Sequence, residues 1–157
     1  MRLSFRARHL RRAALRTFFL FKRPMTLGVR VIVHDRNADS IFLVRHTYVD
    51  GWYLPGGGVE RGQTAMEAVY AELWEEARLK PQTDPRLVGV FFNRRARHDH
   101  VLLYFTDDCR RIGEHPGDRE IAEAKAFPLS ELPDGVTAAT QRRIEEWRAG
   151  KPPATDW

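Results

Sequence analysis

One stretch, residues 54–79 (LPGGGVERGQTAMEAVYAELWEEARL), narrows what this chain can fold into more than any other. Pro55 is followed by three glycines, Gly56, Gly57 and Gly58, and Gly62 punctuates a short charged turn. Backbone without side chains can approach an anion or a metal ion more closely than bulkier residues allow. Thr64 is placed to cap a helix predicted to run to about Arg78. That helix carries Glu72, Glu75 and Glu76, whose spacings of three and four put the carboxylates on one face. Like charges so arranged destabilise an isolated helix, so a compensating partner is expected. A hard divalent cation with oxygen ligands meets that need.

The same stretch resembles the signature of the Nudix (MutT-like) hydrolases, G-x5-E-x7-R-E-U-x-E-E-x-G-U, with U a bulky aliphatic residue. The first glycine falls on Gly57, the E-U-x-E-E core on Glu72, Leu73, Trp74, Glu75 and Glu76, and the last U on Leu79. Three positions depart from it: Gln63 stands for the first Glu, Ala71 for the Arg and Arg78 for the final Gly. The resemblance covers about residues 25–149. It implies an α/β fold, an α/β/α sandwich with a mixed sheet and the signature forming a loop–helix–loop at the sheet end. Outside it lie a basic N-terminal arm, residues 1–24, and a C-terminal tail, residues 151–157, read as loose; the domain itself spans 25–150.

Charge separates the arm from the rest. Residues 1–23 hold eight Arg or Lys and no Asp or Glu, so the net +5 combines a +8 arm with a body near −3. A mildly acidic body argues against nucleic-acid binding by the protein as a whole. Leu3, Ala7, Leu10, Ala14, Phe18 and Phe21 recur at helical spacing, with Arg8, Arg11, Arg12 and Arg16 mostly off that stripe. The arm therefore reads as an amphipathic helix, a feature added to the sandwich. Its candidate uses are to cover the domain, to form a homodimer contact, or to rest on an anionic membrane surface; a nucleic-acid contact or a targeting role is a further reading. A single cysteine, Cys109, excludes an intrachain disulfide and agrees with a cytoplasmic setting. No apolar run approaches the roughly 20 residues of a membrane-spanning helix.

Alternation over 26–34 predicts a strand, and 41–45 a second that could pair with it as a hairpin. Segments 87–92 and 101–106 read as buried strands joined by the basic loop 93–99, and 121–127 as a last strand. A final helix is expected over 136–149, with Gly150 as its stop.

Family resemblance implies a Mg2+-dependent hydrolase, Mn2+ being a substitute, that cleaves a diphosphate bond in a nucleoside diphosphate linked to another group. A diphosphate repels hydroxide, so its hydrolysis needs cations that neutralise the phosphate oxygens and activate water. By resemblance Glu72 and Glu76 are the metal ligands, Glu75 shares a ligand or supporting catalytic role, and the Gly56 carbonyl is a further ligand. Candidates for the general base are Glu114, Asp118, Glu120 and Glu123, with Glu120, beside the last strand, preferred. Arg45, Arg94, Arg95 and Arg97 are candidates for phosphate contact, because arginine's forked donors suit phosphate oxygens. Trp52 and Phe92 could stack on a base, although core packing is the commoner use of such rings. The signature Arg resembles an anchor that orients the glutamates; Ala71 cannot provide one. The alternative reading is a catalytically weakened module that binds a nucleotide or a protein partner.

Overall fold

The computed structural model describes residues 25–157, so the amphipathic helix expected of residues 1–24 lies outside them. Five strands form one mixed sheet: β1 (Thr26–Asp35), β2 (Ser40–His46), β4 (Arg86–Asn93), β5 (Asp99–Thr106) and β7 (Ile121–Pro128), in the order β4-β5-β1-β2-β7. Only β1 and β5 run parallel; the remaining neighbours are antiparallel. Two short strands absent from the sequence reading, β3 (Leu79–Pro81) and β6 (Cys109–Arg111), pair with each other beside it. Three-residue strands are too short to show a period, which is why the pattern missed them.

One helix lies on each face. Helix α1 (Ala65–Ala77) packs Ala68, Val69, Leu73 and Ala77 against Val29, Val31, Val33, Phe42 and Val44. Helix α2 (Ala138–Arg148) packs Ile144 into a second core with Ile32, Ile41, Leu43, Leu54, Phe91 and Leu103. Successive residues of β1 thus feed opposite cores, as a strand covered on both faces requires. The result is the expected α/β/α sandwich.

The β1–β2 hairpin pairs only near its turn, through His34 with Ile41 and Asp35 with Ser40. Beyond it the two strands part, and residues 53–59 enter between them. Tyr53 exchanges both backbone hydrogen bonds with Val44, while Val29 and Val31 donate to Gly57 and Pro55 and Val59 donates to Leu27. The glycine loop is therefore wedged into the sheet.

Two sequence expectations need correcting. β4 is an edge strand rather than a buried one: Phe91 is buried, but Leu87 and Val90 are half exposed. The apolar run of β4 looked like core because periodicity cannot reveal which strand is left at an edge. The tail is not loose at its end either. Phe92 donates to Thr155 O and accepts from Trp157 N at 2.8 and 3.0 Å, and Arg143 donates to Asp156 O at 2.7 Å.

Candidate active site

Local sequence explains why α1 begins where it does. Thr64 accepts from Glu67 N while Glu67 accepts from Thr64 N, a reciprocal cap that satisfies two donors at the helix start. At the other end Arg78 holds φ 53°, ψ 35°, the left-handed geometry the family's glycine would favour. Its guanidinium lies over the Trp74 ring, 5.1 Å from the centroid. Gln63 turns back on its own loop, Oε1 accepting from Glu60 N at 3.0 Å. It closes a turn where the family carries a charge.

From this capped helix Glu72 and Glu76 project into a cavity of about 480 Å³ that Gly56, Gly57, Gly58, Arg30, His46, Tyr48 and Glu120 also line. Glu76 is buried, with Oε2 accepting from Gly56 N at 2.7 Å. Burial pushes its carboxyl up to about 8, against the opposing pull of that hydrogen bond and of Arg30. Burial raises Glu72 as well; Arg30 opposes the shift, and Glu75 and Glu120 add to it. Glu75 is exposed and lines a smaller hollow of about 180 Å³ with Glu72, Glu76, Arg78, Asp118 and Glu120.

Two of the loop glycines stand where a side chain would meet a neighbour. Gly56 has φ 140°, and a side chain there would overlap the Val29 carbonyl. A side chain on Gly57 would overlap the Glu72 carboxylate itself. The loop is thus moulded around both β1 and the acidic helix end.

Glu120 arrives from the other side of the sheet. Asp118 Oδ1 accepts from Glu120 N and Ile121 N, and Thr47 N donates to Glu120 O, tying the start of β7 to the end of β2. Of the other base candidates, Glu123 pairs with Arg45 and Lys125, Asp118 is spent on that backbone cap, and Glu114 lies 4.0 Å from Arg111 and does not line the acidic cavity.

Two site residues escaped the sequence reading. Arg30 donates to Leu54 O at 3.1 Å and also to Gly56 O, its side chain partly buried between loop and acidic cluster. A charge inside an otherwise apolar strand was the available signal. His46 is buried, with Nε2 3.7 Å from Glu76 Oε1 and Nδ1 without a partner. Burial first, then Arg30, lowers its pKa, so the imidazole is neutral at pH 7. Nothing in the sequence around a lone histidine marked it.

The four predicted phosphate-binding arginines separate. Arg94 and Arg95 line a neighbouring cavity of about 670 Å³ that shares Arg30, Asn93 and Trp157 with the acidic one, and Arg94 pairs with Asp156 at 2.7 Å. Arg45 is engaged with Glu123, and neither it nor Arg97 lines either cavity. Trp52 is a core residue, its ring 4.8 Å from that of Phe127.

Among the described residues no three His, Cys, Asp or Glu side chains converge closely enough to enclose an ion. The donor set still fits a magnesium-like cation, which binds through one or two carboxylates and keeps several waters. The Glu72 and Glu76 carboxylates offer oxygen donors at a raised cost of ionisation, a cost that a cation would relieve. The Gly56 carbonyl already accepts from Arg30, leaving one lone pair for any other partner.

Comparison with known proteins agrees with this geometry. The NUDIX domain family model matches residues 24–148. An RNA pyrophosphohydrolase of Psychrobacter sp. (strain PRwf-1) is 48% identical over 68 residues, 43% of this chain and 35% of that protein. Diphosphoinositol polyphosphate phosphohydrolase 2 of Rattus norvegicus is 39% identical over 69 residues, 43% of this chain and 38% of its own. The match thus spans little more than a third of either relative. The crystal structure of a MutT NUDIX hydrolase from Burkholderia pseudomallei shares the fold with a TM-score of 0.59, at 22% identity, over 76% of this chain and 95% of that one. With the family model covering most of the chain and the glycine loop, capped helix and glutamates assembled as above, the protein belongs to the NUDIX domain family.

Proposed function

We propose that the protein is a Mg2+-dependent hydrolase that cleaves a diphosphate bond in a nucleoside diphosphate linked to another group. The observation that carries this reading is that Glu72, Glu76 and Glu120 line one cavity together with the glycine loop. The names of the two sequence relatives, one an RNA pyrophosphohydrolase and one acting on a diphosphoinositol polyphosphate, have the diphosphate linkage in common and differ in what carries it. That linkage is the part of the substrate the shared region supports.

In this mechanism Glu72 and Glu76 would hold the cation, with Glu75 at the outer rim. A bound divalent cation supplies charge neutralisation at the phosphate oxygens and Lewis acidity toward water. Glu120 accepts the proton of the attacking water as its oxygen bonds to phosphorus. The bridging P–O bond then breaks, and its electron pair leaves with the departing phosphate. Arg30, two hydrogen bonds into the loop, keeps a positive charge facing the carboxylates and holds the loop against β1. Arg94 and Arg95, in the adjoining cavity, receive the remainder of the substrate.

The test is hydrolysis of a panel of nucleotides and nucleotide–sugars with Mg2+ or Mn2+, with Glu76→Gln as control. Metal-dependent turnover that falls by at least a hundredfold in the variant is the expected outcome. Nucleotide binding without turnover in either protein would instead support the module that binds and does not hydrolyse, the reading that Gln63 and Ala71 favour.

A further inference from the structure

The face of the sheet that carries α1 is only partly covered among the described residues. α1 packs over β1, β3 and β7. Beyond it the register places one continuous apolar row on the same face. Val29 and Val31 belong to the α1 core, and they stand opposite Leu102 and Tyr104 of β5. Those in turn face Val90 and Leu87 of β4, while Leu27 faces His100, which faces Phe92. Cross-strand partners share a face, so Leu27, Leu102, Val90, Leu87 and Phe92 form one surface. Its outer members are open: Val90 is 52% and Leu87 50% exposed, and Met25, where the described chain begins, is 67% exposed. A sheet face of this kind needs a covering layer.

We propose that residues 1–24 of this chain supply that layer, laying the stripe of Leu3, Ala7, Leu10, Ala14, Phe18 and Phe21 across β4 and β5. Length and attachment both fit. A helix from Leu3 to Phe21 measures about 28 Å at 1.5 Å per residue. The eight-residue strands it would cross or follow measure about 26 Å at roughly 3.3 Å per residue. The segment ends at Pro24, next to the exposed Met25 that precedes β1, beside the uncovered surface. The stripe leaves Arg8, Arg11, Arg12 and Arg16 mostly off the covered side. Because Thr26 and Leu27 line the acidic cavity, an arm seated here also borders the mouth of the candidate active site.

Chemical cross-linking of the full-length protein tests this. Ala14→Cys is combined with Val90→Cys in a Cys109→Ala background, and a short bis-maleimide is added at two protein concentrations a decade apart. An intramolecular cross-link in equal yield at both concentrations is expected, with little reaction when Val90→Cys is replaced by Gln141→Cys on the opposite face. A cross-linked dimer that fades on dilution would overturn the proposal in favour of a second copy. Absence of the intramolecular product would overturn it too, and flotation of the protein with anionic vesicles would then assign the arm to a membrane surface. A second measurement avoids cysteine: Leu10→Asp and Leu87→Asp should each lower the Tm, and the double variant should fall no further than the worse single one. Fully additive losses would overturn the proposal.

Discussion

Glu76 is held where its charge is costly. Its carboxyl titrates near 8 in the fold against an ordinary 4.5, so the protonated form is favoured by folding. That contribution is fully present below about pH 4.5 and is lost as the pH rises through about 8. Stability without divalent cation should therefore decline across that window, by a few kcal/mol at most, and Glu76→Gln should flatten the decline. Urea unfolding at a series of pH values checks this, and added Mg2+ should restore stability to the parent protein far more than to the variant. Arg30 lies outside the family signature. It is the cation the carboxylates face, in a chain whose signature arginine is Ala71. Arg30→Ala should lower kcat/KM by at least tenfold and weaken Mn2+ binding measured by titration calorimetry. Arg30→Lys should recover only part of the loss, because one ammonium cannot reproduce a guanidinium that serves two carbonyls and still faces the acids.

At the scale of the element, the loop and α1 act as one piece. Gly57→Ala places a methyl group where the Glu72 carboxylate lies, while leaving the cores on both sheet faces intact. The expected result is a loss of turnover of a hundredfold or more with a shift in Tm of only a few degrees, separated by parallel kinetic and thermal measurements. Arg78 shows how a departure from the signature is accommodated. The helix still ends in left-handed backbone, at a cost of about 1 kcal/mol for a residue with a Cβ, and the stacking on Trp74 offsets part of it. Gln63 likewise keeps the turn closed by a neutral hydrogen bond. The helix, its start and its acidic face were legible in the sequence because they rest on local spacing and capping chemistry. Arg30, His46 and the pairing of the loop with β1 and β2 were not, since each depends on which strands become neighbours.

Across the whole molecule the last residues of the chain tie the edge strand to α2. Trp157 packs on Phe91, 5.6 Å between ring centroids, and Arg143, 1% exposed, lays its guanidinium over both rings and donates to the tail. Pro153 lies where a side chain on Gly89 would come within 2.8 Å. Deleting residues 152–157 should cost about 2–4 kcal/mol, because it uncovers an edge and leaves a buried guanidinium short of an acceptor. Chemical denaturation of the shortened chain checks it, with loss of the tail expected to lower the midpoint at unchanged cooperativity. The same segment walls both cavities through Trp157, so substrate affinity should fall along with stability.

Spacing, capping and glycine placement were enough to establish the glutamate-bearing helix and the loop before it, because both are short-range, while the layered α/β class was implied by the family resemblance. Glu120 was singled out by its position at the start of a recognisable strand, and in the fold it lines the acidic cavity. The folded arrangement decided the rest. It moved Arg45 and Trp52 into structural work, brought Arg30 and His46 to the carboxylates, left β4 at an edge and fastened the tail to it. Those outcomes depend on contacts between residues distant in the chain, and a side chain's neighbours across a sheet leave no periodic trace along it.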